Sequence, residues 1–266
     1  MMNEDDLSFL CQRVCEISKE TGDYILAERL RMGRPDFESK GKNDFVTLVD
    51  KGAEALLVKH LAETIPESGF ITEENTVPFV ENDYVWIIDP IDGTTNFIHG
   101  LPLFSISIAL QYKQKTVLGV VYEVSNRECF YASLGKGAFC NGEKISVSSH
   151  ELLSNSLLVT GFPYKDAGKL ENWMRLFIDL LRKSHGVRRL GSAAIDLAYV
   201  ACGRFEAFYE YGLSPWDVAA GAFIVEQAGG FVSDYQGGDD FLFGKELLAG
   251  NGKMNEELRA VILSHF

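Results

Sequence analysis

Tyr84-Val85-Trp86-Ile87-Ile88 is an unbroken apolar run that ends on Asp89-Pro90-Ile91-Asp92-Gly93-Thr94-Thr95-Asn96-Phe97. Five successive apolar residues bounded by polar ones suit a buried strand. A buried strand that finishes on two carboxylates three positions apart is unusual. Pro90 fixes the backbone and brings no competing N–H, so Asp89 and Asp92 can point at one ion, and the intervening Ile91 carbonyl adds a third oxygen. Hard oxygen ligands of this kind suit Mg²⁺. Gly93, Thr94 and Thr95 follow with backbone N–H groups and hydroxyls at a turn or helix start, a natural cradle for phosphate. Metal and phosphate sites would then be neighbours. A lone Asp-Gly is read best as a turn, but the whole string is too specific for that.

Upstream of this strand, Leu7, Leu10, Val14, Ile17, Ile25 and Leu26 fall mostly at helical spacing and predict an amphipathic helix from Asp5 to about Arg31. A second helix is predicted from about Val49 to Ile65, closed by Pro66, and a short strand from Gly69 to Thr72. Downstream, Ser105–Lys113, Thr116–Val124 and Glu128–Ser133 read as a β-meander, and Asn141-Gly142 as a two-residue hairpin turn. Beyond a soft boundary at 148/149 the pattern changes. Strand-like Leu157–Thr160, Val187–Leu190, Phe205–Tyr209 and Gly230–Val232 alternate with helical stretches near 166–183, 192–203 and 215–228. The expected organisation is therefore mixed α/β, with an α+β part over 1–148 and an α/β part over 149–266.

Composition narrows the function. Of 266 residues, 46% are hydrophobic and 24% charged, as in folded globular chains. Twenty-five basic against thirty-eight acidic residues give a formal charge of −13, which makes nucleic acid an unsuitable partner in the absence of a basic stripe. An acidic protein handling an anionic substrate needs a cation between the two, which again points to a divalent metal. The five cysteines are odd in number and scattered, so Cys11 and Cys15 read as core and Cys129 and Cys140 as core or edge packing in a reduced cytoplasm. No apolar run reaches membrane-spanning length, and the acidic start Met-Met-Asn-Glu-Asp-Asp is unlike a signal peptide. A soluble cytoplasmic protein is expected.

Three further motifs accompany the Asp89–Thr95 string: Lys42-Asn43-Asp44-Phe45-Val46-Thr47-Leu48-Val49-Asp50, Ile71-Thr72-Glu73-Glu74, and Pro215-Trp216-Asp217-Val218-Ala219-Ala220-Gly221 followed by Glu226-Gln227-Ala228-Gly229-Gly230. Their order and spacing, together with Gly191-Ser192-Ala193-Ala194, resemble the inositol monophosphatase family over nearly the whole chain. The resemblance implies a layered αβαβα sandwich, commonly dimeric, and an enzyme using two to three Mg²⁺ ions per active site. It implies that Glu73, Asp89 and the Ile91 carbonyl hold one ion and that Asp89, Asp92 and Asp217 hold another, with Li⁺ inhibiting at the second position. Glu73 and the pair Thr94–Asp50 would orient and help deprotonate a water for direct in-line attack on phosphorus, without a phospho-enzyme. Substrate contacts would come from Asp92, Gly93, Thr94, Gly191, Ser192, Ala193, Glu210 and Asp217.

Glu74 reads as a solvated group and His99 as a structural or rim histidine. The chain departs from many family members in carrying Thr72 before the Glu pair and Asn75 after it, and the lysine of the early loop aligns as either Lys40 or Lys42, with no role assigned. Thr95-Asn96 stands where nucleotide-directed members tend to carry Lys-Glu, which favours a polyol phosphate such as myo-inositol monophosphate. Histidinol phosphate, fructose 1,6-bisphosphate, NADP and 3'-phosphoadenosine 5'-phosphate are the alternative substrates, and a regulatory binding protein keeping the fold is the non-enzymatic alternative.

Overall fold

The structure is a computed structural model that describes residues 2–32, 38–41, 44–163 and 168–266. Lys42 and Asn43 of the early motif, and the start of the helix expected from 166, lie outside the described residues.

The chain opens with α1 (Glu4–Met32), the two-stranded ribbon β1 (Glu38–Gly41) and β2 (Asp44–Val46), and α2 (Leu48–Thr64). Lys40 falls in β1. Next come β3 (Gly69–Thr72), β4 (Tyr84–Asp92), the short α3 (Thr94–His99), and then β5 (Ser105–Tyr112), β6 (Lys115–Glu123), β7 (Glu128–Ser133), β8 (Gly137–Cys140) and β9 (Glu143–Ile145). Strands β3 to β9 form one seven-stranded sheet in chain order, parallel between β3 and β4 and antiparallel elsewhere. Asn141 and Gly142, both at positive φ, make the tight turn between β8 and β9 that an Asn-Gly pair favours.

A single 3₁₀ turn at Leu153–Asn155 leads into β10 (Leu157–Thr160), α4 (Leu170–Lys183), β11 (Gly186–Arg188), α5 (Ala193–Ala201), β12 (Ala207–Tyr211), α6 (Pro215–Gln227), β13 (Phe231–Ser233), β14 (Glu246–Gly250) and α7 (Asn255–Leu263). These strands form a second sheet in the order β11-β10-β12-β14-β13. The change from one sheet to the other falls between Ile145 and Leu157.

Helices α1 and α2 cover one face of the first sheet, α5 and α6 lie between the sheets, and α4 and α7 cover the far side of the second. The result is an αβαβα sandwich. Strand periodicity builds it. On β4, Trp86 and Ile88 join the core under α1 and α2, while Ile87 joins the core shared with α5 and α6, and Ile106, Ile108 and Leu110 of β5 alternate in the same way with Ala109. That two-sided burial accounts for the unbroken apolar run. Gly119 of β6 lets α6 come close: a Cβ there would stand 2.8 Å from the Ala220 carbonyl oxygen. Among the described residues no helix is long and apolar enough to cross a membrane.

The strand, hairpin and helix expectations hold in kind, with shifts of a few residues at several ends. One difference matters. β4 does not stop at Ile88 but runs through Asp92, paired with β5 at Asp89↔Ser107 and Asp92↔Ser105, so that three steps on β4 oppose two on β5. This bulge holds Pro90, which needs no ladder partner.

Candidate active site

In a regular strand, residues three apart point to opposite faces. The bulge between Asp89 and Asp92 cancels that alternation, and ligand oxygens of Asp89, Asp92 and Asp217 all come within 4.8 Å of one another. One oxygen of each carboxylate is anchored by the chain. Asp89 Oδ1 accepts the Ile91 N–H at 2.9 Å. Asp92 Oδ2 accepts the Ala194 N–H at 2.7 Å and the Ser192 hydroxyl at 2.5 Å. Asp217 Oδ2 accepts the Ser214 N–H at 2.7 Å. Anchors of this kind fix the direction in which a ligand presents itself.

Four helices begin here. Pro215 at the first position and Asp217 at the third of α6 form a helix start, so the Pro-Trp-Asp motif places its carboxylate by capping. α2 repeats the device: Thr47 is its cap, and the third residue, Asp50, accepts the Thr47 N–H at 2.9 Å. α5 is capped by Ser192, whose hydroxyl accepts from Ile195 N–H. α3 starts after Gly93, at φ 95°, where a Cβ would meet the Leu103 and Gly191 carbonyl oxygens at 3.0 and 3.1 Å. Helix N-termini carry partial positive charge, so their convergence favours bound anions.

The Thr94 hydroxyl lies 3.0 Å from the Ile91 carbonyl oxygen and 3.4 Å from Asp50 Oδ1. A hydroxyl has one proton to give, and the Ile91 carbonyl is the nearer acceptor. A cavity of about 190 Å³ opens beside the carboxylates, lined by Glu73, Asp92, Gly93, Thr94, Gly191, Ser192, Ala193, Glu210 and Asp217 among others. Asp89, Ile91 and Asp50 stand behind that lining, buried. Every site residue expected from the sequence therefore lies in or against one cleft.

The model of the inositol monophosphatase family matches residues 10–265. The chain is 42% identical over 255 residues to the Nus factor SuhB of Pseudomonas aeruginosa, covering 93% of each chain. Among solved structures, the Thermotoga maritima IMPase superposes with a TM-score of 0.87 at 35% identity, over 98% of both chains. The inositol monophosphatase of Anabaena superposes with a TM-score of 0.85 at 35% identity, over 97% of this chain and 96% of that one. The chain belongs to the inositol monophosphatase family.

The electrostatics of the cleft suit the divalent cation that the family uses. Burial, then the carboxylates of Glu73, Asp92 and Asp217, push Asp89 well above the ordinary carboxylate range. Burial raises Asp92 to about 6, against hydrogen bonds from Ser192, Ala194 and Ala193 that pull it down. Glu210 is raised well above its ordinary value by burial and then by Asp217. Arg189 favours the charged forms of Asp92 and Glu210, but the carboxyl groups crowded around Asp89 still resist ionising together, and a hard cation among them relieves the conflict.

Glu74 hangs its backbone N–H on the buried carboxylate of Glu54, and His99 is exposed in the last turn of α3. Cys11, Cys15 and Cys129 are buried and Cys140 is half-buried, as core or edge packing requires.

Sequence reasoning missed Glu54, Phe162, Arg189 and Asp196. Glu54 follows Asp50 by one helical turn, a spacing that could have flagged it. Asp196 is the one charged residue in Ala193–Ala201, an otherwise apolar helix apart from Tyr199, and that was a signal too. Phe162 and Arg189, whose guanidinium carbon sits 5.6 Å from the Phe162 ring centre, meet only through the fold of the second sheet.

Proposed function

We propose that this chain hydrolyses the phosphate monoester of a small polyol, with myo-inositol monophosphate as the substrate that fits best, and that two to three Mg²⁺ ions serve each site. The observation that carries the reading is the convergence of Asp89, Asp92 and Asp217 within 4.8 Å at a cavity whose other walls offer backbone N–H groups and carboxyl acceptors. Glu73, Asp89 and the Ile91 carbonyl are the proposed ligands of one ion, and Asp89, Asp92 and Asp217 of a second. When bound, Mg²⁺ supplies neutralisation of phosphate charge and a lowered pKa for water, with Li⁺ as a competitor at the second position.

The chain's own groups do the rest. The N–H groups of Gly93, Thr94 and Thr95 hold phosphate oxygens at the start of α3. Glu73 and Thr94, backed by Asp50, orient the attacking water, and the Glu73 carboxylate accepts its proton as phosphorus is attacked in line. Gly191, Ser192, Ala193, Glu210 and Asp217 line the wall facing the leaving group, where Glu210 accepts from a hydroxyl. Thr95 and Asn96 favour a polyol over a nucleotide. Asn96 supports this by spending its side chain on structure, donating to the Leu103 and Leu190 carbonyls at 2.7 and 2.8 Å.

A homodimer is part of the reading. Leu170, Met174, Ile178 and Leu181 recur at helical spacing along the outer face of α4 and are all exposed, which supports association of two copies there. A second role is supported by the relative named a Nus factor: the chain would then also act as a regulatory protein in a transcription complex. The net charge of −13 favours protein surfaces over RNA as its contact in that role.

The test is phosphate release by purified protein with Mg²⁺ across inositol 1-phosphate, histidinol phosphate, fructose 1,6-bisphosphate, NADP and 3'-phosphoadenosine 5'-phosphate. Preference for inositol 1-phosphate is expected. Release from none of them sinks the enzyme reading and leaves the regulatory one.

A further inference from the structure

Asp196 stands in the first turn of α5, 1% exposed, and lines the same cavity as Glu210 and Arg189. Its Oδ1 takes no hydrogen bond from any described residue. Capping does not account for it. In α2 and α6 the acid occupies the third helical position and reaches back to the cap's N–H, whereas in α5 the third position is Ile195 and Asp196 comes one later. Nor does ion pairing within the wall compensate the burial, because Glu210 and Asp92 both oppose its charge and Arg189 alone favours it. A buried carboxyl without a partner costs free energy, and such groups gather where a ligand completes them.

We propose that Asp196 is a specificity-determining residue of the leaving-group subsite, where it and Glu210 together take two hydroxyl groups of a polyol. This deepens the phosphatase reading and rests on it. The position fits. Asp196, Glu210 and Arg189 line the same cavity as the carboxylates Asp92 and Asp217, and Asp89 is not among its lining residues. An ester phosphate held at the metal carboxylates leaves its alcohol part within that cavity, in reach of Asp196 and Glu210. Two carboxyl groups there suit a leaving group rich in hydroxyls, and an aryl leaving group offers them nothing to bind.

The experiment compares wild type with Asp196→Ala and Asp196→Asn on inositol 1-phosphate and on p-nitrophenyl phosphate, with Mg²⁺ present, alongside the thermal midpoint of each metal-free protein. The expected result is a loss in kcat/KM about tenfold larger for inositol 1-phosphate than for p-nitrophenyl phosphate, carried by KM, as one lost hydrogen bond predicts. The metal-free midpoint of Asp196→Asn is expected to equal or exceed that of wild type. Equal losses on the two esters, no loss on either, or a lowered Asp196→Asn midpoint would each overturn the assignment, since they describe a structural or idle residue. Should Asp196→Ala not fold, Asp196→Asn carries the comparison alone. Wild-type protein that releases phosphate from neither ester would sink the phosphatase reading itself, an outcome visible before any variant is compared.

Discussion

Glu54, buried on α2, accepts the backbone N–H of Glu74 at 2.7 Å with one carboxylate oxygen and both the N–H and hydroxyl of Thr76, at 2.8 and 2.7 Å, with the other. It thereby ties the loop after β3, which carries Glu73, to the helix that carries Asp50. Glu54→Gln puts an amide N–H₂ against one of these donors. The variant is expected to lose about 1–3 kcal/mol of stability and roughly 10–100-fold in Mg²⁺ affinity, as read by denaturant unfolding and by calorimetric metal titration. Unchanged metal affinity would separate Glu54 from the site.

The carboxyl groups of the cleft predict an unusual pH response. Asp89, Asp92, Asp196 and Glu210 all have folded-state pKa values raised above their ordinary ones, Asp92 to about 6. A raised value means that the folded state binds more protons than the unfolded one, so this stability is present below the ordinary carboxylate range and is lost as pH rises through the folded values. The metal-free protein is expected to melt at a higher temperature near pH 5.5 than at pH 8, by roughly 2–8 °C. Saturating Mg²⁺ should flatten or reverse the trend, because the cation takes the place of the protons. Melting curves across that range, with EDTA and with Mg²⁺, check both statements.

Asp92→Asn and Asp217→Asn each remove one charge from the carboxylate trio. Both are expected to lose more activity than the roughly 10–100-fold that an outer partner costs, while circular dichroism stays that of the wild type. A near-normal rate for either variant at limiting Mg²⁺ would contradict its role as a ligand.

Gly93→Ala places a side chain at φ 95° and within 3.1 Å of two carbonyl oxygens. The strain is expected to cost about 1–2 kcal/mol and to displace Thr94, so the variant should melt lower and turn over more slowly. A variant that melts with the wild type and keeps its rate would show that α3 starts independently of Gly93.

Much of this was legible in the sequence because local rules and site chemistry coincide. The run Tyr84–Ile88 reads as a buried strand since both faces of β4 meet core, and Pro215-Trp216-Asp217 reads as a helix start since capping places the third residue. The bulge at Pro90-Ile91 was not legible. A Pro between two Asp residues suggests a strand's end, and only pairing with β5 shows that the ladder resumes at Asp92. β14 and α7 also went unassigned, because Glu246–Gly250 is short and both are recruited by tertiary contact with β12 and α4. Arg189 and Phe162 fall in the same class: 27 positions apart, they meet across β10 and β11.

The most direct measurement is phosphate release from inositol 1-phosphate by the purified protein, first stripped with EDTA and then titrated with Mg²⁺. Release should be absent from the stripped protein, rise with Mg²⁺, and remain absent in Asp217→Asn at the same concentrations. Equal release with EDTA and with Mg²⁺, or in Asp217→Asn, would contradict the metal-dependent phosphatase assembled around Asp89, Asp92 and Asp217.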